Sequence, residues 1–288
     1  MPTRPGAGSA ATAVLRFRRQ PPLNSPRVDP NSVDSSAPTS YVSGSLEDPN
    51  LGKPVLRASD LAREFGPIKA VDDVSFTLGA GQLMTVFGPN GAGKTTLLGI
   101  LSGALNPSAG EVFLRSVKLR AGDPEWHRRI GVLSHQSFLY GHLTLEENLR
   151  FFGRLFGLKD LSVRIPQRLE QVGLAERAKS PARTLSRGMR QRLALARTLL
   201  HDPDFVLLDE PYTGLDAHAA AVLRQVLASL KDGRRTIILV THNISQGLEL
   251  ADRVAIQVRG RFVYLEDRSE IDVSVFERSY REKVEEAG

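Results

Sequence analysis

From Val55 onward the apolar positions fall into short runs of β type: Val55–Ala58, Val74–Leu78, Leu83–Phe87, Val112–Leu114, Ile130–Ser134, Phe205–Leu208, Thr236–Val240 and Val254–Val258. Helical patterns alternate with several of these runs, and that alternation predicts an α/β fold with a sheet rich in parallel strands. Gly79-Ala80-Gly81 reads as a turn between two strands. Between the runs at 130–134 and 205–208 the strand pattern disappears. Three helices are predicted there: Thr144–Phe156, opened by a capping box of Thr144 with Glu147, then Leu161–Val172 and Ser186–Leu200. A helical subdomain at about 140–202 is therefore inserted into a sheet core spanning 54–266. The last element, within 267–288, reads as an amphipathic helix over Ile271–Gly288 with Val275, Phe276, Tyr280 and Val284 on or near one face. No internal repeat and no heptad run is present, which argues against a coiled-coil ATPase.

Residues 1–53 have a different texture, rich in Pro, Ser, Ala and Gly with scattered arginines. Such a segment buries too little apolar surface to offset its ordering entropy and is expected to be a disordered tail. Its longest apolar patch, Ala10–Leu15, is too short for a signal-peptide core. No stretch approaches the roughly 18–20 continuous apolar residues that span a bilayer. The expectation is a cytoplasmic protein, whose membrane role, if it has one, needs a partner. The 288 residues carry a formal charge of +6, which suits a phosphorylated ligand, an anionic surface or nucleic acid without choosing among them. The complete absence of cysteine removes disulfides, thiolate metal sites and cysteine nucleophiles.

Two motifs change this picture. Gly88-Pro89-Asn90-Gly91-Ala92-Gly93-Lys94-Thr95, followed by Thr96, matches G-x-x-x-x-G-K-[ST] at every fixed position. A predicted strand enters it and an apolar helix leaves it. The glycines let backbone N–H groups turn inward around phosphate oxygens, and the helix N-terminus adds its positive dipole end. Lys94 is placed to contact the β- and γ-phosphates, and the Thr95 hydroxyl to ligate Mg²⁺. The second motif is Phe205-Val-Leu-Leu-Asp209-Glu210, an apolar run of a strand covered on both faces that ends in two carboxylates. Ligands of open α/β sheets sit beyond the carboxyl ends of the strands. Asp209 is thus predicted to hold Mg²⁺, and Glu210 to act as general base toward an attacking water.

With those motifs in order, residues 55–265 resemble the ABC transporter ATPases, a P-loop NTPase fold of mixed sheet with an inserted helical subdomain. Gln136 follows the strand at 130–134, where that family has its Q-loop glutamine, a sensor of Mg²⁺ and the γ-phosphate. Leu185-Ser186-Arg187-Gly188-Met189 resembles the family signature Leu-Ser-Gly-Gly-Gln, keeping Ser186 and Gly188 and departing at Arg187 and Met189. Ser186 is also a good helix N-cap. Thr213-Gly214-Leu215-Asp216 matches the D-loop, and His242 the switch histidine that contacts the γ-phosphate beside Glu210. Phe65 falls where the family places an aromatic ring against adenine, keeping the π-face without a hydroxyl.

The resemblance implies ATP and Mg²⁺ as ligands, and two copies paired head to tail, each sealing the other's nucleotide. It also implies a separate integral membrane permease, with the chain peripheral on the inner face of the membrane. Ser137-Phe-Leu-Tyr-Gly-His142 is expected either to contact a permease helix or to pack inside the helical subdomain. For cargo, residues 180–265 look most similar to the ATPase subunit of the haem exporter of cytochrome c maturation. The carriers are Arg183–Arg197, Asp209–Ala220 with Tyr212 and His218-Ala-Ala, and Gly247–Arg253. The same Ser-Arg-Gly-Met signature also occurs in ATPases of drug, lipid and polysaccharide exporters. An ABC ATPase acting on nucleic acid or ribosomes is the remaining alternative. It is disfavoured by a single cassette without cysteine or heptads, so no direct nucleic-acid contact is expected.

Overall fold

The apolar runs Leu83–Phe87, Phe205–Asp209 and Thr236–Val240 are buried at every position. Only strands covered on both faces tolerate that. The computed structural model describes residues 55–287; the tail expected at 1–53 lies outside the described residues. In chain order the elements are β1 (Leu56–Phe65), β2 (Ile68–Leu78), β3 (Leu83–Phe87), α1 (Lys94–Leu101), β4 (Ala109–Leu114), β5 (Val117–Lys118), α2 (Pro124–Arg129), β6 (Ile130–Leu133), α3 (Leu145–Leu155), α4 (Leu161–Gln171), α5 (Arg187–Leu199), β7 (Phe205–Asp209), α6 (Ala217–Leu230), β8 (Thr236–Val240), α7 (Ile244–Leu250), β9 (Arg253–Val258), β10 (Arg261–Asp267) and α8 (Val273–Ala287).

The strands form two sheets. One has the order β10-β9-β3-β8-β7-β6, parallel except for the β9–β10 edge pair. The other is β2-β1-β4-β5 and antiparallel throughout. Side chains of the larger sheet alternate between two cores. Phe87, Val206, Leu208, Ile237, Leu239, Val254 and Ile256 join the core shared with α5–α8 and the helical insertion. Met84, Val86, Phe205, Leu207, Ile238, Val240 and Ala255 face the core shared with α1 and the antiparallel sheet. The structure is thus an α/β fold of two sheets, one largely parallel and one antiparallel, with an inserted helical subdomain.

Several expectations are corrected by tertiary context. The runs at 55–58 and 74–78 belong to strands of 10 and 11 residues in the antiparallel sheet, rather than short members of a parallel one. Their polar halves carried no apolar signal because that hairpin end faces solvent. β10 was not expected, although Phe262-Val263-Tyr264-Leu265 is an apolar run of strand-forming residues, half-buried at the edge of the sheet. In α8, Phe276 is buried and Tyr280 and Val284 pack beside it. Val275, however, is 44% exposed. The spacing 276-280-284 makes one helical stripe, and Val275 lies one residue, about 100°, off it.

The helical insertion is tied down locally. Thr144 Oγ1 accepts from the Glu147 amide at 3.2 Å, and the Glu147 carboxylate accepts from the Thr144 amide at 2.8 Å, completing the expected capping box. Asn148, fully buried, donates from Nδ2 to the carbonyls of Tyr140 (3.0 Å) and Thr144 (2.9 Å), while its Oδ1 accepts from the Tyr140 amide (2.8 Å). Those bonds hold Tyr140 against Phe151, edge to face at 5.0 Å. Among the described residues no helix is long and apolar enough to cross a membrane.

At the opposite end of the sheet, Asp202 gathers three arginines. Its Oδ1 accepts from Arg168 of α4 (3.1 Å), Arg234 (2.8 Å) and buried Arg235. Burial pushes the Asp202 carboxyl up, but the hydrogen bond and charge of Arg235, then Arg234, outweigh it and hold it below the usual carboxylate range. Removing Asp202 leaves buried Arg235 with Asp232 as its one remaining carboxylate partner among the described residues. Asp202→Ala is expected to lower the unfolding free energy by about 1–2 kcal/mol, less than for a fully buried pair because Asp202 keeps about a third of its exposure and Asp232 still pairs with Arg235. Because the folded carboxyl titrates below its unfolded value of 3.8, this stabilisation is complete above that pH and lost below it. Urea midpoints of wild type and variant should therefore differ at neutral pH and converge in acid.

Candidate nucleotide site

Three strand ends and one helix start meet at the carboxyl edge of the larger sheet. β3 runs into the glycine-rich loop, and α1 begins at Lys94. Gly93 precedes it with φ +98, and a Cβ there would lie 1.8 Å from the Ala70 carbonyl oxygen. Only glycine satisfies both the left-handed backbone and that approach. A Cβ at Gly88 would likewise lie 2.2 Å from the Gln257 carbonyl oxygen. On the far side, the Gly260 amide donates to Ala92 O at 2.9 Å. The loop is thereby gripped between β2 and the β9–β10 turn. Asn90 and Gly91 remain exposed at its tip, and Pro89 and Thr96 are half-buried.

Lys94 is buried and folds back, donating from Nζ to Gly88 O (2.7 Å) and Pro89 O (2.8 Å). Burial pulls its ammonium below the usual lysine range, while the Glu210 and Asp209 charges act to raise it. The Thr95 hydroxyl reaches Asp209 Oδ2 at 3.4 Å. The Asp209 carboxyl is pushed up by burial first and by the neighbouring Glu210 charge second. Two hard oxygen donors converging where negative charge is disfavoured form a donor set that fits Mg²⁺.

Glu210 follows in a left-handed backbone conformation, φ +49, unusual for a residue with a side chain. Its amide donates to Val240 O at 2.9 Å. The carboxylate is held by three residues from two segments. His242 Nδ1 lies 2.9 Å from Oε1, and the hydroxyls of Thr213 (3.3 Å) and Thr241 (3.2 Å) donate to Oε2. A carboxylate only accepts, so the imidazole hydrogen in this contact sits on Nδ1 and leaves Nε2 as the outward atom. Sequence reasoning placed Glu210 and His242 here but missed Thr241 and the side-chain role of Thr213. Their signal was only adjacency to His242 and membership of the Thr213–Asp216 segment.

The remaining predicted residues stand apart. Gln136 is exposed, with its carbonyl accepting from Ser134 Oγ at 2.9 Å. Its neighbours His135 and Ser137 line a polar cavity of about 260 Å³ together with Glu210, Thr213, Arg187, Arg190 and Gln191. Phe65 ends β1 with its ring 45% exposed, and the Arg63 guanidinium covers one face at 4.6 Å. Ser186 caps α5, its hydroxyl accepting from Met189 N at 3.3 Å, and Asp216 caps α6, accepting from Ala219 N at 2.7 Å. No hydrogen bond among the described residues links either one to the loop at 88–96. Gly188 is buried where a Cβ would lie 2.5 Å from Ala219 Cβ, so it also lets α5 and α6 touch. The departure at Arg187 has a visible position: its guanidinium lies over Gly214, where a Cβ would meet Cζ at 2.2 Å. Tyr212 is buried, its phenol pushed up to about 12 by burial first and then by Glu249.

Known proteins resemble this chain in sequence and fold. The family model described as ABC transporter matches residues 71–213. A Nod factor export ATP-binding protein I from Ralstonia nicotianae is 38% identical over 216 residues, covering 74% of this chain and 67% of that protein. The ABC transporter ATP-binding protein NatA from Bacillus subtilis is 36% identical over 217 residues, covering 73% of this chain and 88% of that one. The structure of cbiO1 from Clostridium perfringens, part of the ABC transporter complex cbiONQ, superimposes with a TM-score of 0.71 over 80% of this chain and 93% of its own. At 22% identity that likeness concerns the fold alone. From the sequence relatives, the loop and the acidic strand end together, the chain belongs to the ABC transporter ATP-binding proteins, the ATPases that bind and hydrolyse ATP to power transport.

Proposed function

We propose that this chain is the motor of an exporter, working through a separate membrane permease, with Glu210 as the base of ATP hydrolysis. The observation that carries the catalytic reading is the set of bonds on the Glu210 carboxylate. Two threonine hydroxyls fix Oε2, and His242 fixes Oε1. A base locked in this way orients a water without reorganising during reaction. His242 contacts a γ-phosphate oxygen through Nε2, which must then carry the second imidazole hydrogen, since phosphate oxygens only accept. The backbone N–H groups of Gly88–Thr96 cradle the phosphates. Lys94 exchanges its bonds to Gly88 O and Pro89 O for phosphate oxygens, whose charge restores its ordinary basicity. Thr95 and Asp209 would hold Mg²⁺ directly or through water, and Gln136 would complete that shell after moving inward. When bound, the ion neutralises charge on the transferring phosphoryl. Phe65 offers its uncovered ring face to adenine.

Ser186, Gly188 and Asp216 have no bonds to their own phosphate loop. This supports a role toward the nucleotide of a second copy, paired head to tail. The permease contact is assigned to Phe138, Tyr140 and Phe151, exposed by 58%, 49% and 42% on one side of the helical insertion. For cargo, two readings stand. Export of haem for cytochrome c biogenesis rests on the resemblance over 180–265. Export of a drug, lipid or polysaccharide is favoured by the Nod factor export relative. The chain sits against the cytoplasmic face of the membrane only through its permease.

Glu210→Gln should lower ATP turnover by about 10²–10⁴-fold and accumulate an ATP-bound dimer, read by phosphate release and size-exclusion chromatography. Lys94→Ala should instead abolish binding of a fluorescent ATP analogue. An ordinary turnover number for Glu210→Gln would remove the base assignment. Because burial and Glu210 both disfavour the charged Asp209 carboxyl, Asp209→Asn should raise the melting temperature of the nucleotide-free protein near pH 7 while abolishing Mg²⁺-dependent hydrolysis. Coexpression with a candidate permease encoded beside its gene should give permease-dependent turnover in membranes, lost in a Tyr140→Ala/Phe151→Ala variant that still binds ATP. Stimulation by nucleic acid or ribosomes in place of the permease would overturn the transport reading.

A further inference from the structure

Gln257 is the single polar residue in the buried run Val254–Val258 of β9. It is fully buried. Neither Oε1 nor Nε2 of its amide has a hydrogen-bond partner among the described residues. An amide at full burial without partners is unfavourable, and an apolar side chain of the same volume would avoid the penalty. The position is specific. The ideal Cβ position at Gly93 lies 3.0 Å from Gln257 Nε2 and 1.8 Å from Ala70 O. The Gln257 carbonyl is the backbone atom that Gly88 faces. Three residues on, the Gly260 amide holds Ala92 O. The unpaired amide therefore lies directly against the loop at Gly93.

We propose that Gln257 is a positioning residue that couples occupancy of the phosphate loop to its own hydrogen bonding. In the arrangement described, Lys94 is folded onto Gly88 O and Pro89 O, and the Gln257 amide is unpaired. Phosphate oxygens draw Lys94 and the loop N–H groups inward. The backbone around Gly93 shifts with them, and the Gln257 amide then pairs with the loop backbone and the facing Ala70 carbonyl. Relief of the buried amide adds to nucleotide affinity, and the effect is felt by ADP as well as ATP because it follows the loop rather than the γ-phosphate. The inference rests on the reading that the 88–96 loop holds the nucleotide's phosphates.

The test uses the full chain with ADP and ATP as ligands and Gln257→Met as the variant, which keeps the volume and removes both polar atoms. The expected result is a dissociation constant for both nucleotides raised about fivefold to tenfold, the scale of one hydrogen bond, with KM raised alike, kcat little changed, and the nucleotide-free melting temperature equal to or above wild type. A purely packing role would instead shift the melting temperature equally with and without nucleotide and leave both constants within twofold of wild type, and that result overturns the proposal. A direct measurement covers the case in which the variant folds poorly. The side-chain ¹⁵N resonance of Gln257 in the wild-type protein should move, and its hydrogens should exchange more slowly, on addition of ADP. An unmoved resonance under saturating ADP also overturns the proposal. If Lys94→Ala retained wild-type ADP affinity, the underlying reading of the loop would fail, which is a separate outcome.

Discussion

The phosphate loop is held by backbone pressed against backbone. Gly93 stands where any Cβ would overlap the Ala70 carbonyl of β2, and Gly88 where it would overlap the Gln257 carbonyl of β9. Contact at that range leaves no room for a side chain, so the path of the loop is set by both flanking strands and only small backbone shifts remain open to it. β2 belongs to the antiparallel sheet and β9 to the larger one. The two sheets are consequently held together at the glycine-rich loop. The core between them, with Val71, Val86, Leu97 and Ala255, maintains that lock by ordinary apolar burial.

The same rigidity continues behind the loop. Phe87, the last residue of β3, packs against Phe276 of α8 at 5.7 Å, with Tyr280 at 6.5 Å. Gly247 of α7 leaves no space for a Cβ beside that ring. The C-terminal helix thus supports the strand that presents the loop. By contrast, the parts assigned to communication carry exposed side chains: Gln136, the aromatic pair Tyr140 and Phe151, and Ser186 and Arg187 at the start of α5. In the proposed motor this division would let the phosphate cradle stay nearly preorganised while the exposed segments meet a second copy or a membrane partner.

Electrostatics at the site is arranged at some expense to stability. Asp209 and Glu210 are adjacent carboxylates, one buried, with a buried lysine opposite. Glu210 also adopts a backbone conformation that disfavours side chains. Such features persist only where the surrounding structure enforces them, and here the enforcement comes from strand β8, whose end supplies the Val240 carbonyl and the Thr241 hydroxyl.

Much of this was legible from the residues in order. The loop at 88–96, the apolar strands and the capping box at Thr144 are encoded by spacing over a few residues, because turn geometry, period-2 burial and helix capping are local effects. The carboxylate pair could be placed at the ligand edge for the same reason. What surrounds that pair could not. Asp209 pairs with Val240 in the sheet register, and that pairing alone brings Thr241 and His242 beside Glu210 across 31 and 32 residues of sequence. The seat of Arg187 on Gly214, the amide of Gln257 beneath Gly93 and the ring of Phe276 behind Phe87 likewise depend on which strands became neighbours. The sequence by itself determined the elements and the chemical groups they carry. Tertiary structure alone decided which groups meet, because strand order and register are set by the shared burial of two cores, and no local pattern records them.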